Sequence, residues 1–224
     1  MSIPLTAVAP ARTGAERAVL VRRTYALVFV SILVTMVGAA FGMSQPALMD
    51  AVLRHYLLSF FVILGTLLLV QWRAREFPYN IGLTMLFTFA EGVWLSPLFA
   101  MYSQSEPGVL GQAGMLTFST FGVLTLYATF SRRDFSAWGG FFAIGLWVLI
   151  ATSLLNLFFH NPTASLWIAA GTIFVFGGLL VFDTWRIVRS NVYGPDDYVY
   201  AAVQIYLDLL NLFLAILRLL GRRR

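Results

Sequence analysis

Three stretches of this chain, residues 24–49, 107–131 and 135–182, contain no Asp, Glu, Lys or Arg. A helix needs roughly 20 apolar residues to cross a bilayer. The first two stretches therefore hold one span each, and the third is long enough for two. Asn161-Pro162 divides the third: proline lacks an N–H and biases the residue before it away from helical geometry, which predicts a hairpin near His160. A water-soluble globule is excluded on the same grounds, because 59% hydrophobic and 11% charged residues leave too little polar surface to cover it.

The pattern predicts an all-α membrane protein of about seven transmembrane helices, spanning 24–42, 56–71, 80–102, 109–130, 137–158, 164–187 and 200–219. No period-2 alternation of the kind a membrane barrel needs recurs along the chain. The aromatic content of 16% suits lipid-facing surface and interfacial anchoring. Without a long repeat or a Gly/Ser linker, the expected organisation is an N-terminal arm over 1–20 and one membrane domain over 21–224. The arm carries Arg12, Glu16 and Arg17 and lacks an apolar stretch with a small-residue cleavage site, so it does not read as a cleaved signal. The absence of cysteine rules out disulfides, thiolate metal sites and cysteine nucleophiles together.

All fifteen basic residues are arginine, scattered over span ends as retention of positive loops in the cytoplasm requires, rather than grouped as a nucleic-acid surface. With the N-terminus inside, Arg12, Arg17, Arg22, Arg23, Arg73, Arg75, Arg132, Arg133, Arg186 and Arg189 fall on the cytoplasmic side against Arg54 opposite. That vote expects a cytoplasmic N-terminus. The tail, Arg218 and Arg222 to Arg224, lies outside if the last segment crosses fully and inside if it is re-entrant.

Three of the ten acids, Glu91, Asp183 and Asp208, fall inside predicted spans. An aspartate at a helix centre costs about 2.5–3.5 kcal/mol on insertion scales, so each of the three points to function. Glu91 stands near mid-span, and Thr84, Thr88 and Glu91 share one helical stripe at i, i+4, i+7, a candidate pore or cavity lining. Gln204, Asp208 and Asn211 repeat that spacing on the last span; for the two amides, interhelical hydrogen bonding is the blander alternative. Asp183 has Arg186 at i+3 as an ion-pair partner, for which a simple cap at the membrane interface is the blander alternative, and the predicted span ends put Asp183 and Asp208 at similar depth, where they can meet.

The segments Tyr79-Asn80-Ile81 with Thr88-Phe89-Ala90-Glu91-Gly92 and Pro97, Phe182-Asp183-Thr184-Trp185-Arg186-Ile187-Val188, and Tyr206-Leu207-Asp208-Leu209-Leu210-Asn211-Leu212-Phe213-Leu214 with Leu217-Arg218 and Gly221 resemble the Bax inhibitor-1 family in its bacterial branch. The resemblance implies six helices around a central C-terminal one. It also implies a calcium leak controlled by two aspartates acting as a proton sensor, which match Asp183 and Asp208 here. Two departures stand out: Trp185 replaces a usually polar residue, and Tyr56 to Val70 contains no arginine to pair with the aspartates, leaving Arg186 as the substitute.

Two carboxyls at hydrogen-bonding distance do not easily both ionise, so a shared proton acts as a latch between the last two spans. Its loss admits water and cations, with calcium as the permeant ion and Asp183 and Asp208 as transient ligands. Two aspartates offer at most four oxygens, against the six to eight that calcium takes, which favours passage over storage. The expected partners are the lipid bilayer, calcium and protons, with no resident cofactor and no nucleic acid. A non-conducting regulator of other membrane proteins is the main alternative, and a proton-coupled exchanger a further one. An enzyme is not expected: an intramembrane aspartyl protease needs Gly-x-Gly-Asp where this chain has Gln204-Ile205-Tyr206-Leu207 before Asp208, and His55 and His160 both sit at span ends.

Overall fold

A computed structural model describes residues 13–221, so Arg12 and Arg222 to Arg224 lie outside the described part. Every regular element among the described residues is helical: α1 (Gly14–Met43), α2 (Pro46–Arg54), α3 (Tyr56–Trp72), α4 (Tyr79–Ser105), α5 (Val109–Phe130), α6 (Trp138–Phe159), α7 (Pro162–Val188) and α8 (Tyr198–Leu220). Local chemistry sets the ends. Thr13 and Glu16 form a reciprocal capping box, so α1 starts at Gly14 and the second half of the expected arm is its first turns, with Leu20 fully buried. At the predicted hairpin, His160 adopts a left-handed φ of 49° and ends α6. Asn161 then accepts hydrogen bonds from the Thr163 and Ala164 N–H groups, and Pro162 opens α7.

Six helices (α1, α4, α5, α6, α7 and α8) are long and apolar enough to cross a bilayer. The seventh expected span is α3, which at 17 residues is short for the task and meets α2 at 95° across His55; the bent pair makes up to seven crossings. The sequence reading placed no separate α2. Its Pro46 start hides at the end of the uncharged run, where composition does not change.

α8 occupies the centre and packs on α1, α4, α5 and α7. Half of its apolar window is buried, against 6% for α6, which packs on α7 and turns Phe141, Trp147, Phe158 and Phe159 outward. α3 packs on α4 in the same peripheral way, so α3 and α6 form an outer layer rather than completing a ring around α8.

The tightest seam joins α1 to α4. A Cβ on Gly92 would stand 2.1 Å from the Thr35 carbonyl oxygen, one on Gly38 2.2 Å from that of Phe89, and one on Gly42 2.4 Å from the Ser96 hydroxyl. Backbone meets backbone there, the close approach that small residues permit between membrane helices. Elsewhere, a Cβ on Gly178 would abut the Phe142 ring and one on Gly171 would come near Leu149, while one on Gly177 would make only ordinary contact with Leu124.

Candidate functional site

α7 and α8 bring Asp183 and Asp208 together. Their carboxyls lie within hydrogen-bonding reach of each other, and the residues are only 4% and 5% exposed. No N–H or hydroxyl among the described residues reaches Oδ2 of Asp208, which is fully buried. Two carboxylate acceptors facing each other repel, and a proton on either one turns it into a donor to the other. Arg186 supplies one positive charge: its Nη1 stands 3.2 Å from Oδ1 of Asp183, one helical turn away. Next to the pair, Thr184 hydrogen-bonds the Tyr25 hydroxyl of α1 at 3.1 Å.

The loop between α7 and α8 closes over this end of the bundle. Tyr193 is 3% exposed although it belongs to a loop, and its ring centre is 4.8 Å from the Arg186 guanidinium. Burial and the nearby Asp183 carboxylate push the Tyr193 hydroxyl well above its ordinary pKa, so it remains a neutral phenol. Four residues on, Asp197 accepts from the Gly194 N–H at 2.8 Å and from Arg75 Nε at 2.7 Å, tying this loop to the one between α3 and α4. Arg189 bonds the Thr129 carbonyl at the end of α5. A cavity of about 410 Å³ lies outside this lid, bordered by Gln71, Arg75, Arg186, Tyr193, Asp197 and Tyr200.

Sequence reasoning missed Tyr193, Asp197 and Arg75. The contact between Arg75 and Asp197 joins residues 122 apart in the chain, and no helical periodicity passes through a loop to mark it. The Asp-Asp doublet 196–197 before an apolar helix was the available signal, since an acid at a helix start is a capping position.

Glu91 is buried at 7% exposure within α4, apart from the aspartates, with Tyr206 of α8 and Tyr56 of α3 in its electrostatic surroundings. Thr84 and Thr88 are also buried on its stripe, but their hydroxyls donate to the carbonyls of Asn80 and Thr84, one turn back on their own helix, at 2.7 and 3.0 Å. Asn211 likewise donates to the Leu207 carbonyl of its own helix, and Gln204 is half-buried. None of Glu91, Thr84, Thr88, Gln204 and Asn211 borders the 410 Å³ cavity or the second one. That second cavity, about 440 Å³, is apolar and runs between α1, α5 and α8 past Met36, Phe118 and Phe213. No group of three or more metal-ligating side chains occurs among the described residues.

A buried carboxyl pair, near the C-terminal end of α7 and midway along the central α8, thus sits in a six- or seven-span all-helical bundle. The family described as inhibitor of apoptosis-promoting Bax1 matches residues 17–224. A Campylobacter jejuni protein is 34% identical over 92% of this chain and 90% of its own length. Bax inhibitor 1 of Schizosaccharomyces pombe is 31% identical over 92% of this chain and 77% of its own. The Golgi anti-apoptotic protein of Vaccinia virus is 35% identical over 73% and 67% respectively. With the match covering both aspartate-bearing helices and nearly the whole chain, this multi-span membrane protein belongs to the Bax inhibitor-1 family.

Proposed function

We propose that the chain is a pH-sensitive cation leak, passing calcium across a bacterial inner membrane with its N-terminus cytoplasmic, and that Asp183 and Asp208 are its proton-controlled latch. The observation that carries this reading is the charge count at the pair: two buried carboxyls adjoin and one guanidinium, Arg186, serves them. With one proton present the cluster is neutral, and the protonated carboxyl donates to its neighbour across the α7–α8 contact. Arg186 already compensates Asp183, so the shared proton belongs to Asp208. Removing it leaves two negative charges against one positive in a low-dielectric setting, where repulsion is strong and hydration is the available relief. Water and cations follow, so flux rises as pH rises.

Calcium is cargo in this reading. Two carboxylates supply too few oxygens for a resident ion, and waters complete the shell of one in transit. Glu91, buried further along the bundle, is the second negative position on the route. No enzymatic step is proposed, because the pair has neither the glycine-flanked motif of an intramembrane aspartyl protease nor a histidine beside it.

Reconstitution of the purified chain alone into calcium-loaded vesicles tests the reading. Calcium efflux without any partner supports a leak. Reproducible absence of efflux favours a regulator of other membrane proteins, the reading that the names of the yeast and viral relatives suggest. Efflux that saturates and needs a proton gradient identifies an exchanger.

A further inference from the structure

We infer that Tyr193 is the stopper that keeps water from the acid pair, and that the Arg75–Asp197 ion pair is the catch holding the stopper in place. This rests on the latch reading and adds to it how water and ions reach the latch. Three observations place the stopper. The Tyr193 ring is buried although it belongs to a loop, and loops ordinarily run over the surface. It stands 4.8 Å from the Arg186 guanidinium, which also pairs with Asp183, so ring, guanidinium and carboxyl form one continuous column from the loop to the pair. The same ring borders the 410 Å³ cavity together with Arg186, while neither aspartate does, so ring and guanidinium stand between an open polar vestibule and the carboxyls.

The Tyr193 hydroxyl is buried and makes no hydrogen bond among the described residues. A polar tip left unsatisfied in the closed arrangement favours any movement that hydrates it, which suits a part that is meant to move. The catch is releasable for a different reason. Arg75 is 76% exposed, and an ion pair in that setting holds weakly, because water screens it. The loop is therefore held shut by packing of the ring and biased shut by the ion pair.

The groups facing the column come from several elements: Arg186 and Asp183 on α7, Asp208 and Tyr200 on α8, Asp197 at the start of α8, and Arg75 from the α3–α4 loop. Arg186 also stands 5.3 Å from the Phe182 ring, so its guanidinium has an aromatic neighbour on α7 to hold it when the Tyr193 ring leaves.

The test measures water access directly and does not need conduction. The full chain in vesicles is treated with a water-soluble carbodiimide and an amine, and amide formation at Asp183 and Asp208 is quantified by peptide mass, with exposed Asp134 as the internal reference. Wild type labels slowly at the pair. Tyr193→Ala raises the rate about tenfold, the effect of about 1.4 kcal/mol on an opening equilibrium, whereas Tyr193→Phe, which keeps the ring, labels as slowly as wild type. Arg75→Ala raises the rate by no more than about fivefold, as an exposed ion pair allows. Tyr193→Leu, with an intermediate rate expected, serves if the alanine variant does not fold. Wild-type labelling as fast as Asp134, or an unchanged rate in both Tyr193→Ala and Tyr193→Leu, overturns the stopper. An unchanged rate in Arg75→Ala overturns the catch. Labelling that responds as stated in vesicles that never pass calcium refutes the leak while leaving the stopper standing.

Discussion

Glu91 and the aspartate pair are both buried acids in a membrane bundle, yet their surroundings differ in kind. Glu91 stands on α4 beside Gly92, where the backbone of α1 is pressed against that of α4 with no room for a methyl group. The aspartates stand between α7 and α8, with a guanidinium, a loop tyrosine and a polar cavity on their open side. Glu91 faces Tyr206 and Tyr56 from a helix whose backbone is locked against α1, whereas the pair adjoins an arginine and a loop side chain. The proposed latch therefore assigns gating to the pair, whose neighbours include a loop, and leaves Glu91, on the helix locked to α1, as a fixed position on the proposed route.

The contrast in rigidity can be broken most forcefully at the glycines. Gly92→Ala drives a Cβ into the Thr35 carbonyl, and overpacking of this kind costs typically 1–3 kcal/mol, more where backbone must shift. Gly177→Ala meets only ordinary contact with Leu124 and stays within about 0.5 kcal/mol. Thermal unfolding in detergent checks both, and equal melting temperatures would remove the rigid-seam argument. Next in size is Glu91→Gln. It is expected to lower calcium flux about tenfold, equivalent to about 1.4 kcal/mol, while leaving the pH at which flux rises unchanged. A shifted pH profile in that variant would make Glu91 part of the switch.

Arg186→Gln sharpens the other side. Without its guanidinium, the pair loses the charge that stabilises the doubly ionised state, so flux rises at higher pH than in wild type, by about one unit for each 1.36 kcal/mol of attraction removed. The smallest effect expected is at Tyr193. Its phenol is held above its ordinary value of 10.0 in the folded protein, so the folded state keeps the proton after the unfolded chain has lost it. The stability this provides is fully present below pH 10 and declines as pH rises from there toward the folded value. Tyr193→Phe flattens that alkaline decline slightly, measured as melting temperature between pH 9 and 11.

The fold was largely legible because bilayer thickness imposes one strong length rule, and the uncharged runs together with Asn161-Pro162 obey it. The bend at His55 was not legible, since α2 and α3 differ in direction and not in composition. Within the site, Asp183 and Arg186 were visible as a one-turn pair, and their meeting with Asp208 followed from depth. The threonine stripe shows the limit of periodicity. Spacing put Thr84 and Thr88 on the same face as Glu91, but a threonine hydroxyl in a helix has its own carbonyl one turn back to satisfy it, and both hydroxyls take that bond. Tyr193 and Asp197 were hidden because a loop closing on a distant loop leaves no regular spacing to read.

The central claim is that the proton shared by Asp183 and Asp208 sets the leak. Calcium flux into proteoliposomes, followed across a pH series for wild type, Asp183→Asn and Asp208→Asn, tests it most directly. In wild type, flux rises with pH. In Asp208→Asn the amide donates permanently to Asp183, so flux stays low and flat, and in Asp183→Asn the shared proton has no second carboxyl and the wild-type rise disappears. Identical pH profiles in all three proteins would contradict the latch.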